Sequence, residues 1–111
     1  MKTSFVKSTD VAMEKLQEGM DRQILGYLSD LMLVRVEFKK GAIGYTHKHP
    51  HVQVTYVESG RFEVQLGEDK KILTAGDAFV IDSDIEHGAV CLEDGVLIDT
   101  FSPMREDFIE G

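Results

Sequence analysis

Three features of this chain of 111 residues predict an all-β fold. Short runs of alternating apolar and polar residues recur along most of its length. Turn residues punctuate those runs every ~8–12 positions, and hardly any stretch carries an apolar period of ~3.6 residues. Side chains on a strand point alternately to opposite faces, so alternation is what a sheet with one buried face requires. About eight strands this short and regular close into a jelly roll more readily than they form an open sheet, because closure removes unpaired edges.

Taken in order, residues 1–19 are the least regular. Ser8-Thr9-Asp10 can cap a short helical turn through Val11–Leu16, with Gly19 ending it. Strands follow at Arg22–Leu28 and Leu31–Phe38, separated by a turn at Ser29-Asp30 and closed by Lys39-Lys40-Gly41. Val52–Glu58 is β-branched and aromatic at alternate positions. Ser59-Gly60 reads as a two-residue hairpin leading into Arg61–Leu66. Gly67-Glu68-Asp69 turns the chain into Lys70–Leu73, and Ala75-Gly76-Asp77 turns it again into Ala78–Ile81. His87–Leu92 and Val96–Phe101 read as a last hairpin about Glu93-Asp94-Gly95.

The length suits one domain spanning residues 1–111, with a core of its own. A formal net charge of -8 argues against nucleic acid, which needs a basic face. An anionic ligand would therefore need a local cluster of positive charge. The single cysteine, Cys91, allows no internal disulfide and reads as a small core residue, which suits a reducing, cytoplasmic setting. No apolar run is long enough to cross a bilayer, and the first residues lack the pattern of a signal peptide.

The chemistry concentrates between Gly41 and Gly60, where His47, His49 and His51 fall within five residues and Gln53 follows. A neutral imidazole offers a nitrogen lone pair near neutral pH, which makes histidine the commonest metal ligand. His47 and His49, two apart, project from one face of a strand. A strand running straight from 47 to 53 would span ~20 Å at roughly 3.3 Å per residue. Ligand atoms sit only ~2.0–2.3 Å from an ion. The chain must therefore bend between the pair and Gln53, and Pro50 is the place for it.

Gly41, His47, His49, Gln53 and Gly60 match the first cupin motif, with glutamine where most cupins carry glutamate. Gly76 and His87 resemble the second motif. There Asp82 and Asp84 stand where proline and glycine are usual, and Cys91 where asparagine is usual. The sequences Gly-Ala-Ile-Gly, His-x-His-Pro-His-x-Gln, Cys-Leu-Glu-Asp-Gly-Val-Leu and the Asp99-x-Phe101-x-Pro-x-Arg105 tail resemble the KdgF-like small cupins, from about Ile24 to Phe108. The resemblance implies a cupin double-stranded β-helix barrel over about 24–108, behind an N-terminal strand and turn extension. It implies a divalent metal ion (nickel, manganese, zinc or iron) held by His47, His49, Gln53 and His87. The further active-site residues it implies are Asp99, Phe101 and Arg105. The implied reaction is the isomerisation of a 4,5-unsaturated uronate, a small anionic sugar from pectin or alginate breakdown, to its linear 5-keto-4-deoxyuronate. Small cupins of this kind are often homodimers.

Glutamine in place of glutamate leaves the ion its full dipositive charge, which favours Lewis-acid work over the chemistry of a 2-His-1-carboxylate iron site. On this reading Asp99 is the general acid/base, Arg105 meets the substrate carboxylate and Phe101 walls the sugar. Alternation puts Asp99 and Phe101 on one face of their strand. His51 lies outside the motif spacing and is read as structural. Two other functions remain open at this level: a cupin that binds sugar or metal without turnover, and a metal-dependent dioxygenase. Apart from the resemblance, an acid such as Asp99 is more often a salt-bridged or strand-end residue, and Arg105, in a run with Glu106 and Asp107, reads as a solvated charge on the tail.

Overall fold

In the computed structural model, which describes residues 3–109, eight strands carry nearly all of the regular structure. They are β1 (Glu14–Gln17), β2 (Met20–Leu28), β3 (Leu31–Phe38), β4 (Ile43–His47), β5 (Val52–Leu66), β6 (Asp69–Thr74), β7 (Ala78–Ile81) and β8 (His87–Ser102). One short helix, α1 (Glu106–Ile109), follows them. No helix among the described residues is long and apolar enough to cross a membrane.

The organising unit is an antiparallel ribbon of the two longest strands, β5 and β8, paired from Val52↔Ser102 to Leu66↔His87. The first half of β5 and the second half of β8 lie in one layer with β7, β3, β2 and β1. Their other halves lie in a second layer with β6 and β4. The ribbon passes from one layer to the other through register shifts between Val57 and Phe62. The core sits between the layers, where Met32, Val34, Val57, Phe62, Ile81, Cys91 and Phe101 are all at most 3% exposed. Cys91 is thus the core residue expected of it, and unpaired.

Three expected elements differ. Val11–Leu16 is not helical: Ser8–Asp10 forms a 3-10 turn, and Glu14–Gln17 pairs with β2 through a hairpin at Gly19, whose φ is 77°. A helix of under two turns cannot repay its nucleation cost, and pairing with a neighbouring strand wins. Ser59-Gly60 is a bend inside β5 and Glu93-Asp94-Gly95 a bend inside β8, where two hairpins were expected. The two bends face one another. A Cβ on Gly60 would lie 2.5 Å from the Gly95 Cα, and one on Gly95 would strike the Ser59 carbonyl oxygen. The glycines serve the close crossing of two continuous strands, not reversal of the chain. The remaining strands and turns lie close to where the sequence placed them, except that the strand carrying His47 stops there and leaves His49 in the loop beyond it.

Candidate metal centre and cavity

The inner face of the first layer builds the site row by row. In register across β3, β8, β5 and β7 run Met32, Phe101, Gln53 and Ile81, and next to them Val34, Asp99, Thr55 and Phe79. Alternation thus brings Gln53, Thr55, Asp99 and Phe101 together inside the barrel. His47 ends β4 and lies opposite His87, the first residue of β8. Between His47 and Gln53 the chain bends at Pro50-His51, as the reach of a single ion required. The backbone N–H of Asp84 donates to the His49 carbonyl at 2.8 Å, tying the loop before His87 to the loop after His47. Asp84 adopts a φ of 61°, which explains why glycine is usual at that motif position; aspartate is among the few residues that tolerate it.

His47, His49 and His87 each present one ring nitrogen within 4.8 Å of the others, so the three could hold a metal ion. Their other nitrogens are fixed. Nδ1 of His47, His49 and His87 lies 2.8, 2.9 and 2.9 Å from the carbonyl oxygens of Tyr45, His51 and Ile85. A carbonyl oxygen only accepts, so each Nδ1 carries a proton and Nε2 is the ring nitrogen left to face an ion. His87 Nε2 is buried without a hydrogen-bond partner. Burial holds the His87 imidazole down at about 4, and burial, aided by the Arg105 charge, also lowers His49. Both rings are therefore neutral at pH 7.

Gln53 Oε1 lies 3.0 Å from His49 Nε2, an acceptor facing a lone pair. Two ligand atoms each ~2.1 Å from one ion at a right angle would stand ~3.0 Å apart, so the donor set fits a divalent cation. The Gln53 amide is oriented by its own nitrogen, which donates to Thr55 Oγ1 at 2.9 Å. Thr55 in turn donates to Asp99 Oδ1 at 2.7 Å, and Gln53 Nε2 is 3.5 Å from that oxygen. His51 supplies its carbonyl to His49 while its own Nδ1 is buried without a partner.

A cavity of about 330 Å³ opens beside the histidines, lined by His47, Gln53, His87, Asp99, Phe101 and Arg105 among others. Burial pushes the Asp99 carboxyl up to about 6, against the lowering effect of the Thr55 hydroxyl and of the Arg105 charge. Phe101 stands edge-on to the His49 ring at 5.8 Å and to Phe108 at 5.6 Å. The Arg105 guanidinium lies 5.2 Å from the Phe101 centroid and 4.3 Å from that of Phe108. Its Nε and Nη2 also donate to the Asp107 carboxylate at 3.0 and 2.7 Å. The residues singled out in the sequence are thus brought together. Two that were not are Thr55, which joins Gln53 to Asp99, and Arg22, which lines the same cavity. Thr55 carried a signal, its two-residue offset from Gln53. Arg22 carried none.

The sequence pattern of the cupin domain matches residues 34–100. The chain belongs to the cupin family. Among its relatives, the pectin degradation protein KdgF of Dickeya dadantii (strain 3937) is 51% identical to this cupin over 98 residues, 86% of this chain and 89% of the relative. The structure of KdgF from Halomonas sp. matches with a TM-score of 0.92 at 42% identity, covering 96% of this cupin and 99% of that chain. An RmlC-like cupin from Shewanella frigidimarina matches with a TM-score of 0.93 at 47% identity, covering 96% of each chain.

Proposed function

We propose that this cupin is a metal-dependent isomerase of the pectin degradation route, converting a 4,5-unsaturated uronate to the linear 5-keto-4-deoxyuronate. The observation that carries the reading is the junction of Asp99 with the three-histidine cluster. One hydroxyl, Thr55 Oγ1, links the carboxylate to Gln53 Oε1's own amide, and Gln53 faces His49 at 3.0 Å. The similarity to KdgF supplies the substrate class. The cavity charge agrees with it: two arginines and one carboxylate line a pocket in a protein of net charge -8.

His47, His49, His87 and Gln53 would hold the divalent ion; nickel, manganese, zinc and iron all suit that donor set. When bound it supplies a Lewis acid for hydroxyl or carboxylate oxygens. Asp99 does the proton work. It takes the proton of the anomeric hydroxyl, the C1–O5 bond breaks as the aldehyde forms, and O5 leaves as the enolate of the C4–C5 unit. Returning the proton to C4 completes the C5 ketone, so atoms and electrons balance with no redox partner. A carboxyl at about 6 is suited to both halves of that cycle near neutral pH. Phe101 forms the apolar wall, and Arg105 meets the carboxylate of the sugar.

A cytoplasmic setting suits the one unpaired cysteine. We propose also a homodimer, formed on the outer side of the layer that carries the site. The deciding experiment follows loss of alkene absorbance of 4-deoxy-unsaturated galacturonate with metal-loaded protein. Turnover above the spontaneous rate, abolished by chelation, is expected. A rate equal to the spontaneous one, with metal present in the protein, would leave a binding cupin, and oxygen uptake with organic substrates would point to a dioxygenase.

A further inference from the structure

The cavity has a cation that the site residues do not account for. Arg22 stands on β2, outside the 24–108 stretch that carries the cupin resemblance, and its side chain is only 13% exposed. It lines the same cavity as Asp99 and the histidines. Its guanidinium lies 4.2 Å from the centroid of Phe108, the ring that Arg105 also contacts at 4.3 Å. Two cations therefore converge on one aromatic ring beside one cavity. Each is answered by one carboxylate. Glu14, opposite Arg22 in the β1–β2 register, has an oxygen 3.5 Å from Arg22 Nε, and Asp107 takes the Nε–Nη2 edge of Arg105. Both acids are about half exposed, whereas Arg22 Nε is buried with no hydrogen-bond partner. Arg105 thus has its bidentate edge engaged, and Arg22 has donors unspent.

We propose that Arg22 is a substrate-binding residue, the second arm of a carboxylate clamp whose other arm is Arg105, with Phe108 holding the two guanidinium groups in place. The inference rests on the uronate reading above and makes it specific. The planar fork of arginine suits a carboxylate, and a buried fork with free donors gains more from one than an exposed fork does. It also gives the N-terminal hairpin a task, since β1 and β2 bring this cation to the cavity wall.

The test compares the unsaturated galacturonate with its C6 methyl ester, which removes the charge and keeps the reacting atoms. Wild-type protein is expected to prefer the acid. In Arg22→Met that preference falls by ~10–100-fold, the worth of a charge-assisted hydrogen bond, through KM and with kcat little changed. Arg22→Lys retains part of it, and serves alone if Arg22→Met does not fold. Metal content stays at the wild-type level in both. An unchanged acid-over-ester preference, or a loss confined to kcat, overturns the role of Arg22 while the uronate reading stands. Absence of wild-type turnover removes the uronate reading and this inference with it.

Discussion

At the residue scale the site turns on one hydroxyl. Thr55 Oγ1 accepts from Gln53 and donates to Asp99, so a single group orients a candidate ligand and stabilises the carboxylate that would move protons. Thr55→Val keeps the β-branched shape and removes both bonds. A hydrogen bond to a charged group is worth ~1.5–3 kcal/mol, so the Asp99 pKa is expected to rise by roughly 1–2 units. NMR titration of the metal-free protein checks this, and an unmoved pKa would mean the hydroxyl is idle. Asp99 also sets a stability window. Its folded value of about 6 lies above the ordinary 3.8 because burial penalises the charge. The native state then binds its proton more tightly than the unfolded chain does, so this group's contribution falls as pH rises from about 4 to about 6 and stays low above that. Metal-free Asp99→Asn should therefore be more stable than metal-free wild type at pH 8, by on the order of 3 kcal/mol, with the gap closing near pH 4. Urea denaturation at the two pH values reads it; an equal gap at both would deny the burial penalty. With metal restored, the same variant should lose at least ~100-fold in turnover, the usual worth of a placed acid/base.

At the element scale the β5–β8 ribbon decides the fold, and its bend depends on two glycines in contact. Gly60 has a φ of 87° and no room for a Cβ, whereas Gly67 has a φ of 59° and open space around it. Gly67→Ala should cost only the left-handed backbone penalty, ~1–2 kcal/mol. Gly60→Ala should cost that plus a backbone clash, roughly 3 kcal/mol or more. Equal losses in urea would mean the crossing is not tight. The same ribbon marks where the sequence was legible. Strand alternation is local, so β3 and β7 could be read to their end residues. Whether Ser59-Gly60 reverses the chain or only bends it depends on what lies across from it, and Gly95 is 35 positions away in the sequence. The β1 strand was missed for the same reason, its pairing with β2 outweighing a weak helical pattern. In the site, His47, His49, Gln53 and the bend at Pro50 were readable because ligand reach constrains nearby residues. Arg22 was not, because nothing short of the folded hairpin brings it to the cavity.

At the scale of the whole molecule, the layer that carries the site has two faces with opposite demands. Inward it sets Val34, Asp99, Thr55 and Phe79 in one row. One residue along each strand, outward, stand Leu33, Thr100, Val54 and Val80, with Leu33, Val54 and Val80 exposed by 38, 47 and 69%. Leu31, Val52 and Tyr56 extend that strip, each more than 40% exposed. Arg35, 3.5 Å from Glu58 and ion-paired to Glu37, offsets half of the charge of these two acids, which matters in a protein whose net charge of -8 opposes the approach of a second copy. A continuous apolar strip whose border charge is partly offset suits a two-fold contact in which the same patch meets itself. Sedimentation velocity at micromolar concentration should therefore give twice the chain mass. Val54→Lys, which points a charge outward from the middle of the strip, should give the monomer with its metal content unchanged, and its Tm should lose the protein-concentration dependence of the dimer. A wild-type monomer would leave the strip uncovered and the proposed homodimer wrong. A Val54→Lys protein that stays dimeric would place the contact elsewhere, with the exposed Phe5 of the N-terminal segment the next surface to alter.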